Sequence, residues 1–229
     1  MLTYSVTDSQ LTFDSGGKTI QLDCFAPDAN GGRFPAVIGL HGSGGGYPVL
    51  YGPARLFAAH GFAVYVLHYF DRTGTTRAED RATAVLHGPA WGRTVWDAIG
   101  FVGKEPRVDP EKIALLGISL GAYLSLAVAS VDPRVKAVVD YFGGFPKEMK
   151  LFMRRFCPVL VLHGENDETV PVSEAHNIRE IAEKRNTPCE MKIYPGLGHG
   201  LDPETMRDAG ERALEFLKRY LGPQASGTG

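Results

Sequence analysis

Cysteine is scarce: Cys24, Cys157 and Cys189 lie far apart, with no C-x-x-C pair among them. That excludes a disulfide framework and a zinc knuckle and points to reduced thiols. An excess of charge of either sign is also missing, because 24 Lys+Arg face 26 Asp+Glu for a formal net charge of −2. No broad electrostatic footprint exists for nucleic acid or an acidic membrane surface. No apolar run approaches the roughly 18 residues that span a bilayer, and the first residues lack the basic and apolar segments of a secretory signal. A cytoplasmic protein with a small-molecule substrate, present as a monomer or homodimer, is the expectation. There is no internal repeat, charge block or dividing linker. A composition of 44% hydrophobic and 22% charged residues fits one globular domain over 1–222, with a disordered tail over 223–229.

What is present is alternation. Short apolar runs recur as Ala36-Val-Ile-Gly-Leu40, Ala63-Val-Tyr-Val-Leu67, Ile113-Ala-Leu-Leu-Gly117, Ala137-Val-Val139, Val159-Leu-Val-Leu162 and Glu190-Met-Lys-Ile-Tyr194. Amphipathic stretches separate them, as in βα units around a mostly parallel sheet. Continuous apolarity implies burial on both faces, and the more polar last run reads as an edge. Upstream, 10–13 and 19–25 flank Asp14-Ser-Gly-Gly17, the signature of an antiparallel hairpin at a sheet edge. Helices are expected over 51–60, 120–130, 173–184 and 203–221, and another is expected to carry Pro89 in its first turn with Val95, Ile99 and Val102 on one face. About 20 residues separate the runs ending at Val139 and Leu162, too few for a large lid.

Gly117-Ile-Ser-Leu-Gly121 matches G-x-S-x-G between an apolar strand and an apolar helix, the setting of a nucleophile elbow. A serine hydroxyl attacks only if a base takes its proton, so a histidine held by a carboxylate is required. His199 lies in a Gly-rich loop after the last strand, and Asp167 lies in a loop after the preceding one. The three therefore fall at the C-terminal ends of strands, where catalytic groups of open α/β sheets gather. Glu165, Glu168 and Asp140 compete with Asp167 for the carboxylate role, and a serine that merely caps a helix competes with the nucleophile. His41-Gly-Ser-Gly-Gly-Gly46 follows the first buried strand and can offer the backbone N–H of Ser43, or of Gly42, to an oxyanion beside that of Leu120. No G-x-G-x-x-G opens a helix and no H-E-x-x-H occurs, so a phosphate loop, a metal and a cofactor are not expected. His41 is read as a brace of its loop, His68 and His163 as packed side chains, and His60 and His176 as helix-surface residues. Tyr47, Tyr69, Phe70, Trp91 and Phe142 lie near strand ends and either line a pocket or belong to the core.

Taken together, these motifs resemble the α/β-hydrolase fold and, within it, the dienelactone hydrolase family. The resemblance runs over 18–221 and rests on His41-Gly-x-Gly-Gly45, Gly117-Ile-Ser-Leu-Gly-Ala122, His163-Gly-x-x-Asp167 with Val170-Pro171, and Tyr194-Pro195 with Gly198-His199. It implies a mostly parallel twisted sheet of about eight strands with helices on both faces and no large lid. It also implies a Ser119–His199–Asp167 triad with Ser43 and Leu120 as oxyanion donors. Dienelactone hydrolases proper carry a cysteine at the place of Ser119, a glutamate near that of His41 and arginines for a substrate carboxylate. Here Arg72 could match one arginine, while Leu201-Asp202 follow the histidine. A serine carboxylesterase for small or short-chain esters is thus expected, with lactone or thioester hydrolysis and acyl transfer as alternatives on the same triad. A non-catalytic ligand-binding relative is the alternative of another class.

Overall fold

Alternating residues build the first edge of the sheet. Val6–Ser15 (β1) and Lys18–Pro27 (β2) pair antiparallel, with Ser15 opposite Lys18. The two residues between them, Gly16 and Gly17, have φ of +56° and +77°, the left-handed pair that a two-residue hairpin turn demands. The computed structural model describes residues 3–29, 31–78 and 80–222; the expected tail lies outside them.

The apolar runs become Phe34–Leu40 (β3), Ala63–Leu67 (β4), Val108–Ile118 (β5), Val135–Tyr141 (β6), Val159–Gly164 (β7) and Cys189–Tyr194 (β8). With the hairpin they form one eight-stranded sheet in the order β1-β2-β4-β3-β5-β6-β7-β8. Pairing is antiparallel from β1 to β2 and from β2 to β4, and parallel from there on. As the polarity of its sequence suggested, β8 is an edge and is only partly buried.

Two layers of helix explain why the inner strands are apolar throughout. Ile38, Leu115, Val138 and Val161 face a core shared with helices Arg81–Val102 (α2), Leu120–Ala129 (α3) and Ser173–Lys184 (α4). Their neighbours Val37, Leu116, Val139 and Leu160 face a second core shared with Tyr51–Ala59 (α1) and Pro203–Leu221 (α5). Successive strand residues point to opposite faces, so both must be apolar.

One helix start needs correction. Pro89 lies inside α2, not in its first turn; the helix begins eight residues earlier, where Asp80 Oδ1 accepts the Thr83 N–H at 2.7 Å. A mid-helix proline leaves the carbonyl four residues back without its donor. That residue is Val85, 64% exposed, so water can meet the orphaned group. Between β6 and β7 the chain forms only a short 3-10 turn, Lys147–Leu151, and no large lid. Among the described residues no helix is long and apolar enough to cross a membrane.

Candidate active site

Ser119 sits between β5 and α3 with φ +53° and ψ −115°, a left-handed conformation that a non-glycine residue holds only under constraint from its surroundings. The constraint is visible on both sides. A methyl group added to Gly117 would lie 2.4 Å from the Ala122 backbone, and one on Gly121 would lie 2.4 Å from Leu40 O. Only glycine lets strand, turn and helix approach so closely. The Ser119 N–H donates to Tyr141 O at 2.8 Å, and Ser119 O accepts from Ala122 N. Although Ser119 is the N-cap residue of α3, its side chain makes no capping hydrogen bond.

The hydroxyl is directed instead toward His199. His199 Nε2 lies 3.0 Å from Ser119 Oγ, and His199 Nδ1 lies 2.7 Å from Asp167 Oδ2. Because a carboxylate oxygen only accepts, Nδ1 carries the proton and Nε2 presents its lone pair to the serine hydroxyl. Asp167 is fully buried in its side chain, and its Oδ1 accepts the Thr169 and Val170 N–H groups at 2.9 and 2.8 Å. The loops bearing Asp167 and His199 are laced together, since Asn166 N donates to Leu197 O and Gly196 N donates to Glu165 Oε2.

The competing carboxylates are thereby accounted for. Glu165 is spent on the histidine loop, and Glu168 is exposed. Asp140 is fully buried, with Oδ1 accepting the Gly143 N–H at 3.0 Å. Burial pushes its carboxyl up to about 7, against the smaller opposing effect of that hydrogen bond.

The Gly-rich loop after β3 lies beside the elbow, since a methyl on Gly42 would lie 3.6 Å from Ser119 Cβ. Gly42 O accepts from His41 Nδ1 at 2.8 Å and from Gly45 N at 3.1 Å, which fixes the peptide unit that carries the Ser43 N–H. Ser43 O accepts from Ala78 N, and no acceptor is found for the Ser43 N–H among the described residues. The Leu120 N–H belongs to the first turn of α3, where a helix supplies no acceptor. His41 is buried and stacked 4.2 Å from Tyr69, and burial pushes its imidazole down to about 4. It is therefore a neutral Nδ1–H donor, which agrees with the reading of a brace.

The pocket candidates separate. Phe142 is the aromatic that meets the histidine, its ring 5.5 Å from that of His199. Tyr47 stacks at 3.9 Å on His68, which is in turn held by Asp23 at 2.6 Å. Trp91 is fully buried and donates from Nε1 to Thr73, and Phe70 packs against it at 4.6 Å. Both belong to the core, and the substrate-facing reading of these two is corrected. Arg72 likewise turns to the β1–β2 hairpin, donating to Ser15 O, so it is not presented to a substrate carboxylate. His163 is a packed side chain whose Nε2 donates to Val170 O at 2.8 Å. The sequence analysis placed Phe142 among the pocket aromatics but foresaw neither its left-handed backbone, φ +55°, nor the Tyr141 carbonyl that holds Ser119. The one signal for them was an aspartate inside an apolar run just before Tyr-Phe-Gly-Gly.

Comparison with known proteins agrees with this architecture. The family model described as "Dienelactone hydrolase family" matches residues 24–221. A Yersinia pestis protein named "Putative carboxymethylenebutenolidase" is 21% identical over 95% of this chain and 90% of its own length. The thiohydrolase apmlB of Arthrinium phaeospermum is 34% identical over 82% of this chain and 68% of its own. In three dimensions, the crystal structure named "Putative Dienelactone Hydrolase" from Klebsiella pneumoniae superimposes with a TM-score of 0.81 at 18% identity, over 94% of this chain and 100% of that one.

Proposed function

The chain belongs to the dienelactone hydrolase family, and from that premise we propose that it is a serine hydrolase cleaving small or short-chain carboxylic esters through an acyl-enzyme. Family membership itself makes it a hydrolase of ester or lactone bonds. The observation that carries the finer reading is the continuous Ser119–His199–Asp167 relay, 3.0 and 2.7 Å per link. His199 Nε2 takes the Ser119 proton as Oγ attacks the ester carbonyl; Asp167 holds the imidazole and stabilises the imidazolium. The Ser43 and Leu120 N–H groups receive the negative charge that develops on the carbonyl oxygen, a donor of this kind being worth about 3 kcal/mol in other hydrolases. The C–O bond then breaks and His199 returns the proton to the departing alcohol. A water deprotonated by the same nitrogen attacks the acyl group, and the acid leaves as Ser119 recovers its proton.

The connection between β6 and β7 carries only a 3-10 turn and no lid, which supports small esters over interfacial lipids. With Arg72 turned to the hairpin, neutral esters fit this chain better than carboxylate-bearing ones. Similarity to a thiohydrolase favours thioesters as a second substrate class on the same relay, since a fold and triad do not fix the leaving group. The test is turnover of matched short-chain ester and thioester substrates by Ser119→Ala and His199→Ala. Each should lose activity by about a thousandfold or more while melting like the parent. Wild-type ester hydrolysis by Ser119→Ala would overturn the serine mechanism.

A further inference from the structure

We propose that Asp140 is a positioning residue for both Ser119 and His199, acting through the tight turn that its carboxyl closes onto Gly143. The proposal rests on the serine-hydrolase reading above and adds to it a part that neither the motifs nor the comparisons assign.

Asp140 is the only charged-type residue among the buried positions of β6, where its Cα pairs with Gly117 on one side and Val161 on the other. It therefore sits between the strand that launches the nucleophile and the strand that launches the acid. Its Oδ1 accepts the Gly143 N–H at 3.0 Å, while Oδ2 is buried and finds no hydrogen-bond partner among the described residues. Half of the carboxyl's acceptor capacity is thus unused in a place where a polar atom is expensive to bury. That arrangement needs a compensating role, and the turn supplies one.

Two residues, Tyr141 and Phe142, lie between Asp140 and the amide it binds, and both reach the relay. Tyr141 O accepts the Ser119 N–H at 2.8 Å, so the turn holds the backbone of the nucleophile. Phe142 has φ +55° and sets its ring 5.5 Å from His199 and 6.0 Å from His163. A bulky residue in this conformation is strained and needs restraint from both ends. One restraint is the Phe142 N–H donating to Leu162 O at 3.0 Å, and the other is the Asp140–Gly143 bond. The turn is also wedged against the elbow helix, because a methyl on Gly143 would lie 2.3 Å from Ala122 Cβ. Releasing the carboxyl lets Phe142 relax, and the carbonyl before it and the ring on it move together. Nucleophile and base then lose their shared reference, and small misplacements of reacting groups cost rate steeply. The raised affinity of Asp140 for its proton supports this arrangement: burial favours the neutral carboxyl, which keeps its acceptor oxygen while limiting the charge placed near Tyr123.

The experiment compares Asp140→Ala, Asp140→Asn and Ser119→Ala on a short-chain ester, together with the rate at which a fluorophosphonate probe labels Ser119. Asp140→Ala should lower kcat and the labelling rate by about tenfold with KM within about twofold. Asp140→Asn keeps the acceptor for Gly143 and should restore both. A folded Asp140→Ala with wild-type kcat and labelling overturns the proposal, as does an Asn variant no better than Ala. If Asp140→Ala does not fold, Phe142→Leu reads the same link: a fall in kcat and labelling at unchanged KM supports it, and unchanged kcat overturns it. Turnover surviving in Ser119→Ala would instead sink the serine reading, whatever the Asp140 variants do, so the two failures are distinguishable.

Discussion

In the turn 117–121 a methyl on either glycine would fall 2.4 Å from backbone atoms, whereas in the loop 42–46 the same methyl on Gly44 or Gly46 meets nothing within 4 Å. Both segments are rich in glycine, both lie beside Ser119, and on paper they look alike. The elbow is defined by contact between main chains, which cannot give way. The loop is defined by hydrogen bonds: His41 Nδ1 and Gly45 N to Gly42 O, and Ala78 N to Ser43 O. Only Gly45 is sterically committed there, with φ +71° and a methyl that would meet Thr76 O at 2.0 Å. Glycine content therefore does not measure how tightly a segment is specified; what touches the missing side chain does.

The sharpest way to break this comparison is Gly121→Ala. Its methyl would strike Leu40 O and His41 O, so the variant should lose about 3 kcal/mol or more of stability and nearly all turnover, seen in denaturant titration and esterase assay. A melting curve like the parent's would mean that the contacts are softer than their distances imply.

A smaller difference distinguishes the buried titratable group beside each segment. Asp140, beside the elbow, is raised from 3.8 to about 7, so between these values the folded state keeps a proton that the unfolded state releases. That contribution to stability is fully present below pH 3.8 and is lost as pH rises toward 7. Asp140→Asn should therefore gain stability relative to the parent as pH goes from 5 to 8. His41, in the loop, is lowered from 6.5 to about 4, so the unfolded state takes up a proton that the folded state refuses. Its contribution is lost as pH falls through that window, and His41→Asn should gain relative to the parent in acid. Urea titrations at pH 4.5, 6 and 8 would show the two trends with opposite sign, and parallel curves would contradict them. At the small end, Gly44→Ala should shift stability by no more than about 0.5 kcal/mol and leave kcat within twofold, since its methyl enters open space.

Much of this architecture was legible because its determinants are local. Apolar runs bounded by turn residues mark buried strands, and a serine between glycines at a strand-helix junction marks an elbow. The order of Ser119, Asp167 and His199 along successive strand ends announced that the three would meet. What escaped was settled by partners distant in sequence. Trp91 and Phe70 resemble pocket aromatics until the core closes over them, and Arg72 is claimed by a hairpin carbonyl 57 residues upstream. Pro89 looked like a helix start because prolines favour first turns, yet an aspartate cap and an exposed outer face allow the helix to begin earlier. Phe142 carries no glycine to announce its left-handed backbone; only its neighbours impose it.

The relay spans 80 residues from Ser119 to His199 and 32 from Asp167 to His199. No isolated βα unit of this chain holds more than one of the three groups, so a folding intermediate can have helices, strands and a hydrophobic interior and still be chemically silent. Closing such long loops is slow and entropically opposed. The first appearance of turnover during refolding thus dates the moment when β5, β7 and β8 come into final register, making the reaction a clock for the last stage of assembly.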